Sequence, residues 1–513
     1  MISTRRLLPL VVALGVGVAA CSSGRSALES GVDDSPDAPA DTTDSAPDDT
    51  GDADAVDSTD GAATTAMPTT TVAALEQLAP CPTEALDDAD GPIEIVFWHA
   101  MANDLEPPLV ALTDEYNASQ DKVRVVLQNQ TGYESLIDKY VTASQSSRPT
   151  LAQFPEYTLR TISDSGTTVP AEACVRSSGY DTSTFVPRTL TAYAFEGLQR
   201  GMPFNVSNPV LYYNRKIFEA AGLDPDDPPV SLEELRAVSE QIVSSGAAPV
   251  ALVLDSGPDS GGGWFLEQWF GRAGEPFADN GNGRIAPATE VLFDSELGVE
   301  FTTFLQSMID DGLAITVGDN PGGQDALFKL ADQTVPGAMT MATSAALGSV
   351  ITALGSGLVP GIVPEDIGVG PMPGPGDTPQ VQVGGASLWI MADKSPEETA
   401  AAWDYITYLL RPESQSRWAA STGYVPVRTD ALDLDPLAAT YASDARFAVP
   451  YEQLLSGVDD DTANAPVLGP QREVRAETSR AMAAIFGGAD PAASLTEAAD
   501  ASNLLIASYN QRN

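Results

Sequence analysis

From about residue 80 onward the sequence predicts an α/β fold, and three observations carry that expectation. Short strand-like runs rich in Val, Ile, Phe and Tyr alternate with longer stretches of helical periodicity, the order that winds a parallel sheet. Two helix starts are written out as capping boxes, Ser231 with Glu234 and Ser395 with Glu398. No fixed-period repeat runs through the chain, so a solenoid or propeller is not expected.

The elements follow in order. Ile93 to Trp98 alternates as a strand. Asn103-Asp104 then opens a helix whose buried stripe is Leu109, Leu112 and Tyr116. Val123 to Leu127 is a second strand, and Gly132 precedes a helix over 133–143 with Leu136, Ile137 and Tyr140 inward. Leu151 to Phe154 is a third strand. A second α/β set begins with the strand Pro209 to Tyr213. Its helix, Leu232 to Ser244, is stopped by Gly246 and followed by the strand Pro249 to Leu254. Ser387 to Met391 reads as a late strand. The helix after it has Pro396 at its first position, lines Trp403, Ile406 and Leu410 inward, and ends before Pro412. The region 470–509 is helical and alanine-rich.

The N-terminus sets the compartment. Arg5-Arg6 precede an apolar run from Leu7 to Ala20, too short to span a bilayer, which takes about 20 residues. Val18-Ala19-Ala20 then lead into Cys21. This is the form of a secretory signal peptide, residues 1–20. The small residues before the cysteine resemble a bacterial lipobox, which implies Cys21 as the lipidated first residue of the mature chain. Residues 21–78 are mainly Asp, Ala, Thr, Ser, Pro and Gly, with eleven Asp between Asp33 and Asp60. A segment of that composition buries too little apolar surface to offset its ordering entropy, so it is expected to act as a disordered, self-repelling tether. The expected location is the extracytoplasmic face of a cell membrane. With Cys21 lipidated, Cys81 and Cys174 remain as a pair in an oxidising compartment, and a disulfide between them is expected.

Composition removes whole function classes. A net charge of −46 excludes nucleic acid as a natural partner, because phosphate backbones need clustered Lys and Arg. The single histidine, His99, rules out H-E-x-x-H zinc chemistry and leaves a Ser-His-Asp triad only one candidate base. There is no G-x-S-x-G elbow and no P-loop. Gly368 to Gly374 has the wrong spacing for a dinucleotide loop, and its prolines forbid the helix start. Asp279 to Glu290 has the length of a calcium loop, but glycines at positions three and five and Arg284 at position six disqualify it. The expectation is a non-enzyme without metal or cofactor.

Five segments, in order, resemble a known family: Phe97-Trp-His-Ala100, Pro203-Phe-Asn-Val-Ser-Asn-Pro-Val-Leu-Tyr-Tyr-Asn214, Ala221-Gly-Leu-Asp-Pro225, Gly384-Gly-Ala-Ser-Leu-Trp389 and Thr422-Gly-Tyr-Val-Pro426. Over roughly 91–510 the chain is similar to the extracellular solute-binding proteins of ABC importers, most of all those for glycerol-3-phosphate. The resemblance implies a two-lobed clamp of the type II periplasmic-binding-protein class, with a hinge and a ligand cleft between the lobes. On that pattern, lobe one is 80–206 plus 385–432 and lobe two is 207–384 plus 433–513. It also implies a monomer that hands a small phosphate ester, or alternatively a sugar or oligosaccharide, to permease subunits. Carried over by position, the ligand residues are Tyr133, Glu156, Ser207, Thr343, Gly385, Tyr424 and Arg475. The family pattern has a serine where Thr343 stands, with Ser344 one place later. A guanidinium fork, hydroxyls and backbone N–H groups suit a phosphate. Arg475 also sits near a helix start, where a cation opposes the dipole, so either a ligand or a neighbouring Glu473 or Glu477 should account for it. Trp264 and Trp269 flank a glycine-rich stretch and are read first as core aromatics, with stacking on a ligand as the alternative.

Overall fold

The computed structural model describes residues 75–513 apart from 321–322, 358, 377–378 and 458–461. The signal segment 1–20, Cys21 and the tether up to residue 74 therefore lie outside the described residues.

Two sheets organise the chain. The first is six-stranded and uses β1 (Ile93–His99), β2 (Val123–Asn129), β3 (Leu151–Pro155), β4 (Thr168–Val169) and β5 (Met202–Ser207), joined much later by β11 (Gly384–Met391). Its order is β2-β1-β3-β11-β4, with β5 also paired to β11. The second is five-stranded: β6 (Pro209–Asn214), β7 (Val250–Leu254), β8 (Ala314–Thr316), β9 (Gly337–Thr343) and β10 (Ile367–Pro371), in the order β8-β7-β9-β6-β10. Asn208 alone separates β5 from β6, so the chain passes from one sheet to the other across a single residue. Its side chain is tied down on both sides, accepting from Gln453 and donating to the Pro450 carbonyl.

The parallel expectation holds for only part of each sheet. β1 runs parallel to β2 and β3, and β7 runs parallel to β8 and β9. β11 is antiparallel to β3, β4 and β5, and β6 is antiparallel to both β9 and β10. The reversed strands are those adjoining the passages between sheets, where no crossover helix dictates direction. Both sheets are therefore mixed.

The helices form where their local signals place them. α1 (Glu106–Ser119) and α2 (Tyr133–Thr142) bury Leu109, Leu112, Tyr116 and Leu136, Ile137, Tyr140. α3 (Leu232–Ser245) carries the Ser231–Glu234 capping box and ends on left-handed Gly246. α4 (Trp264–Ala273) follows the glycine-rich loop. α5 (Pro396–Leu409) has the second capping box. Pro412 does more than end a helix, since it sits at the start of α6 (Pro412–Thr422), where a missing N–H costs nothing. The C-terminal pair α7 (Gln471–Phe486) and α8 (Pro491–Asn510) pack on each other and on the helix Glu296–Asp310. A disulfide joins Cys81, ahead of β1, to Cys174 in the helix Ala171–Ser178. Among the described residues no helix is long and apolar enough to cross a membrane.

Candidate functional site

A cavity of about 630 Å³ is lined by Tyr133, Glu156, Ser207, Thr343, Gly385, Tyr424 and Arg475, together with Tyr157, Asp259 and Trp264. The structure thus brings all of the sequence-derived ligand positions to one place. They come from both sheets, from the start of α2, from the turn after α6 and from α7, and most lie at strand ends. In wound α/β sheets ligands gather just beyond the carboxyl ends of the strands.

Glu156 opens the turn directly after β3, and Ser207 is the last residue of β5. Tyr133 starts α2, and its hydroxyl accepts from Asn205 at 2.7 Å. Asn205 in turn accepts from Gln153, which accepts from the Ala100 N–H, so a buried amide relay fixes the tyrosine. Tyr424 stacks on Trp418 at 5.5 Å between centroids, and the adjacent Val425 N–H donates to Val206. Gly385 has φ +89, and a Cβ there would meet the Asn205 carbonyl oxygen at 2.0 Å. Only glycine fits that position. Thr343, at the end of β9, faces the cavity, whereas Ser344 is buried and donates its N–H to Asn208.

Arg475 is 3% exposed and pairs with neither Glu473 nor Glu477. Its Nε and Nη2 donate to the two oxygens of Glu267, at 2.8 and 2.7 Å, and Nη2 also reaches Glu156 at 3.0 Å. Its guanidinium lies 4.8 Å from the Tyr157 ring centre, and that hydroxyl donates to Glu134. The third nitrogen, Nη1, donates to no group among the described residues. A carboxylate oxygen of exposed Asp259 lies 3.7 Å from it.

The electrostatics follow from burial. Desolvation pushes the Glu156 carboxyl up to about 7, with Arg475 pulling it down and Glu267 pushing it further up. Burial alone would lower the Arg475 guanidinium, but Glu267 and Glu156 outweigh it and hold the group charged. Arg475 thus holds two carboxylates, Glu156 in the cavity lining and Glu267 behind it, with Asp259 of the lining farther off.

Glu267 is the residue the sequence reading missed. It is fully buried one turn into α4, in the apolar stretch Trp264-Phe-Leu-Glu-Gln-Trp269, and it also accepts from Gln471. A lone acid in such a stretch was the available signal, since a buried charge demands a partner. Trp264 proves to be part of the cavity wall rather than only core. Its ring occupies the space a Cβ at Gly384 would need, and its indole N–H has no partner among the described residues. Trp269 is core, its N–H spent on the Pro373 carbonyl. Asp279 closes its own loop by accepting from Thr289 and Glu290, and no cluster suited to a metal ion occurs among the described residues.

Comparison with known proteins agrees with this architecture. The family model described as bacterial extracellular solute-binding protein matches residues 111–449. The sn-glycerol-3-phosphate-binding periplasmic protein UgpB of Yersinia pseudotuberculosis is 27% identical over 438 residues, covering 82% of this chain and 94% of that protein. Among solved structures, UgpB from Mycobacterium tuberculosis in complex with glycerophosphocholine superposes with TM-score 0.67 at 21% identity, over 82% of this chain and 99% of that one. The cyclic alpha-maltosyl-1,6-maltose binding protein from Arthrobacter globiformis gives TM-score 0.65 at 22% identity, over 81% and 99%. The mixed α/β body is thus a two-lobed clamp, and the chain belongs to the bacterial extracellular solute-binding protein family.

Proposed function

We propose that this solute-binding component of an ABC importer carries glycerol-3-phosphate or a related glycerophosphodiester, with Tyr133, Glu156, Ser207, Thr343, Gly385, Tyr424 and Arg475 as the ligand residues. The observation that carries the reading is Arg475: among the described lining residues it is the only cation, buried, with Nη1 turned to no protein partner. A phosphoryl oxygen is the natural acceptor for such an N–H edge. Glu156 and the hydroxyls of Tyr133, Ser207 and Tyr424 would serve the glycerol. The names of the Yersinia and Mycobacterium relatives fit this cargo. On this reading the chain is held to the membrane through lipidated Cys21, works as a monomer with lobes 80–206 plus 385–432 and 207–384 plus 433–513, and closes on cargo by hinge motion at segments such as Asn208.

One observation favours a second cargo class. The carboxylates on Arg475 and the unpartnered Trp264 indole N–H suit a neutral sugar, which gains from acids and aromatics without needing a free cation. Calorimetric titration of the full chain with glycerol-3-phosphate, glycerophosphocholine and maltose separates the two. Binding of either phosphate compound is expected, and a saturating ligand at about 100 times its Kd adds about 2.7 kcal/mol to stability. Heat from maltose alone would transfer the assignment to sugars.

A further inference from the structure

We propose that Glu267 sets the charge of the cargo this clamp accepts, favouring a phosphodiester monoanion over a phosphomonoester dianion; the inference rests on the glycerophosphate reading above. Glu267 occupies the Nε–Nη2 edge of Arg475, the side on which a guanidinium grips an anion with two parallel hydrogen bonds. Nη2 is shared further with Glu156, so the edge left for cargo is Nη1. A single N–H edge satisfies one oxygen of a monoanion. A dianion brings a second charge to a site where Glu156 and Asp259 in the lining and Glu267 behind Arg475 already outnumber the guanidinium, and like charges repel more strongly where burial limits screening.

Glu267 cannot move aside cheaply. It is fully buried, held by Arg475 and Gln471, and carried on a helix whose preceding glycines leave no room for side chains: a Cβ at Gly261, Gly262 or Gly263 would meet backbone oxygens at 2.0 to 2.1 Å. The carboxylate is therefore fixed behind Arg475, one layer back from the cavity lining. It acts on cargo through Arg475 and is a positioning residue.

The test compares affinities of the full chain for glycerol-3-phosphate and glycerophosphoglycerol, a diester monoanion without a cationic head that the carboxylates would attract. At about pH 8 the monoester is a dianion; near pH 5 it is a monoanion, its second ionisation lying near 6, while the diester keeps its single phosphate charge throughout. Wild type should prefer the diester at pH 8 by roughly tenfold or more, and the preference should shrink toward unity at pH 5. Glu156 also gains a proton in this window, facing Arg475, Glu267, Tyr157, Tyr193 and Tyr424, but it acts on both ligands and largely cancels in the ratio. Glu267→Gln should raise the monoester-to-diester affinity ratio at pH 8 by about tenfold. A ratio unmoved by the substitution, or loss of both ligands together, overturns the proposal and leaves Glu267 as scaffolding for Arg475. Should that variant fail to fold, the wild-type ratio decides alone, and a ratio constant between pH 5 and 8 overturns it. Binding of neither phosphate ester by wild type removes the cargo reading itself, and this inference with it.

Discussion

Two arginines lie three residues apart on α7 and hold two carboxylates each, yet they belong to different physical regimes. Arg472 reaches Glu134 and Asp138 on α2, the latter at 2.8 Å, and its side chain is 38% exposed. Arg475 reaches Glu267 and Glu156 at nearly the same distances and is 3% exposed. The contact geometry is alike and the surroundings are not. Around Arg472, water already solvates every partner, so forming the pairs gains little. Around Arg475, the charges have lost their hydration and find their compensation only in one another. Burial, more than pairing, makes one of these clusters a candidate site and the other a surface contact.

The largest predicted effect tests that distinction directly. Arg475→Ala leaves Glu267 and Glu156 buried beside each other without their cation, which should cost about 3–5 kcal/mol of folding stability in denaturant titration. Phosphate-ester binding should fall with it. Converting the whole cluster to neutral groups, Glu156→Gln with Glu267→Gln and Arg475→Met, should recover most of the stability and none of the binding. A triple variant as unstable as the single one would show that shape, not charge pairing, holds this corner together.

A middling effect comes from pH. Glu156 titrates near 7 in the folded chain against an ordinary value of 4.5, so the folded state holds a proton that the unfolded chain has released over that interval. Its contribution is fully present below about 4.5 and is lost as pH rises toward 7, the reverse of an ordinary salt-bridged carboxylate. Glu156→Gln should therefore flatten the decline of Tm between pH 5 and 7 relative to wild type. Identical slopes in the two proteins would place Glu156 in the same solvated regime as the partners of Arg472.

Much of the fold was legible because its signals are local. The capping boxes at Ser231 and Ser395, the left-handed stop at Gly246 and the Leu109-Leu112-Tyr116 stripe depend on neighbours within a turn or two. Strand direction was less legible. Whether β6 runs with or against β9 is decided by the path of the chain between sheets, which spacing along a strand does not encode. The ligand positions came from likeness to a family, and the structure gathers them at one cavity. Glu267 escaped because its partner, Arg475, is 208 residues away, and an isolated acid in a helix normally points to water.

The smallest predicted effect is the control that gives the others meaning. Arg472→Ala removes pairs to Glu134 and Asp138 whose side chains are 46% and 64% exposed, so the change in unfolding free energy should be about 0–1 kcal/mol. What remains should fade in about 1 M salt, where the Debye length drops to roughly 3 Å. The Arg475→Ala penalty should survive that salt largely intact, because ions do not enter a buried pair. The Tyr157 hydroxyl complicates the control by donating to Glu134, so part of that carboxylate's placement persists without Arg472. If Arg472→Ala proved as costly as Arg475→Ala and equally indifferent to salt, exposure would not separate the two clusters, and the case for a charge-selective site on α7 would lose its footing.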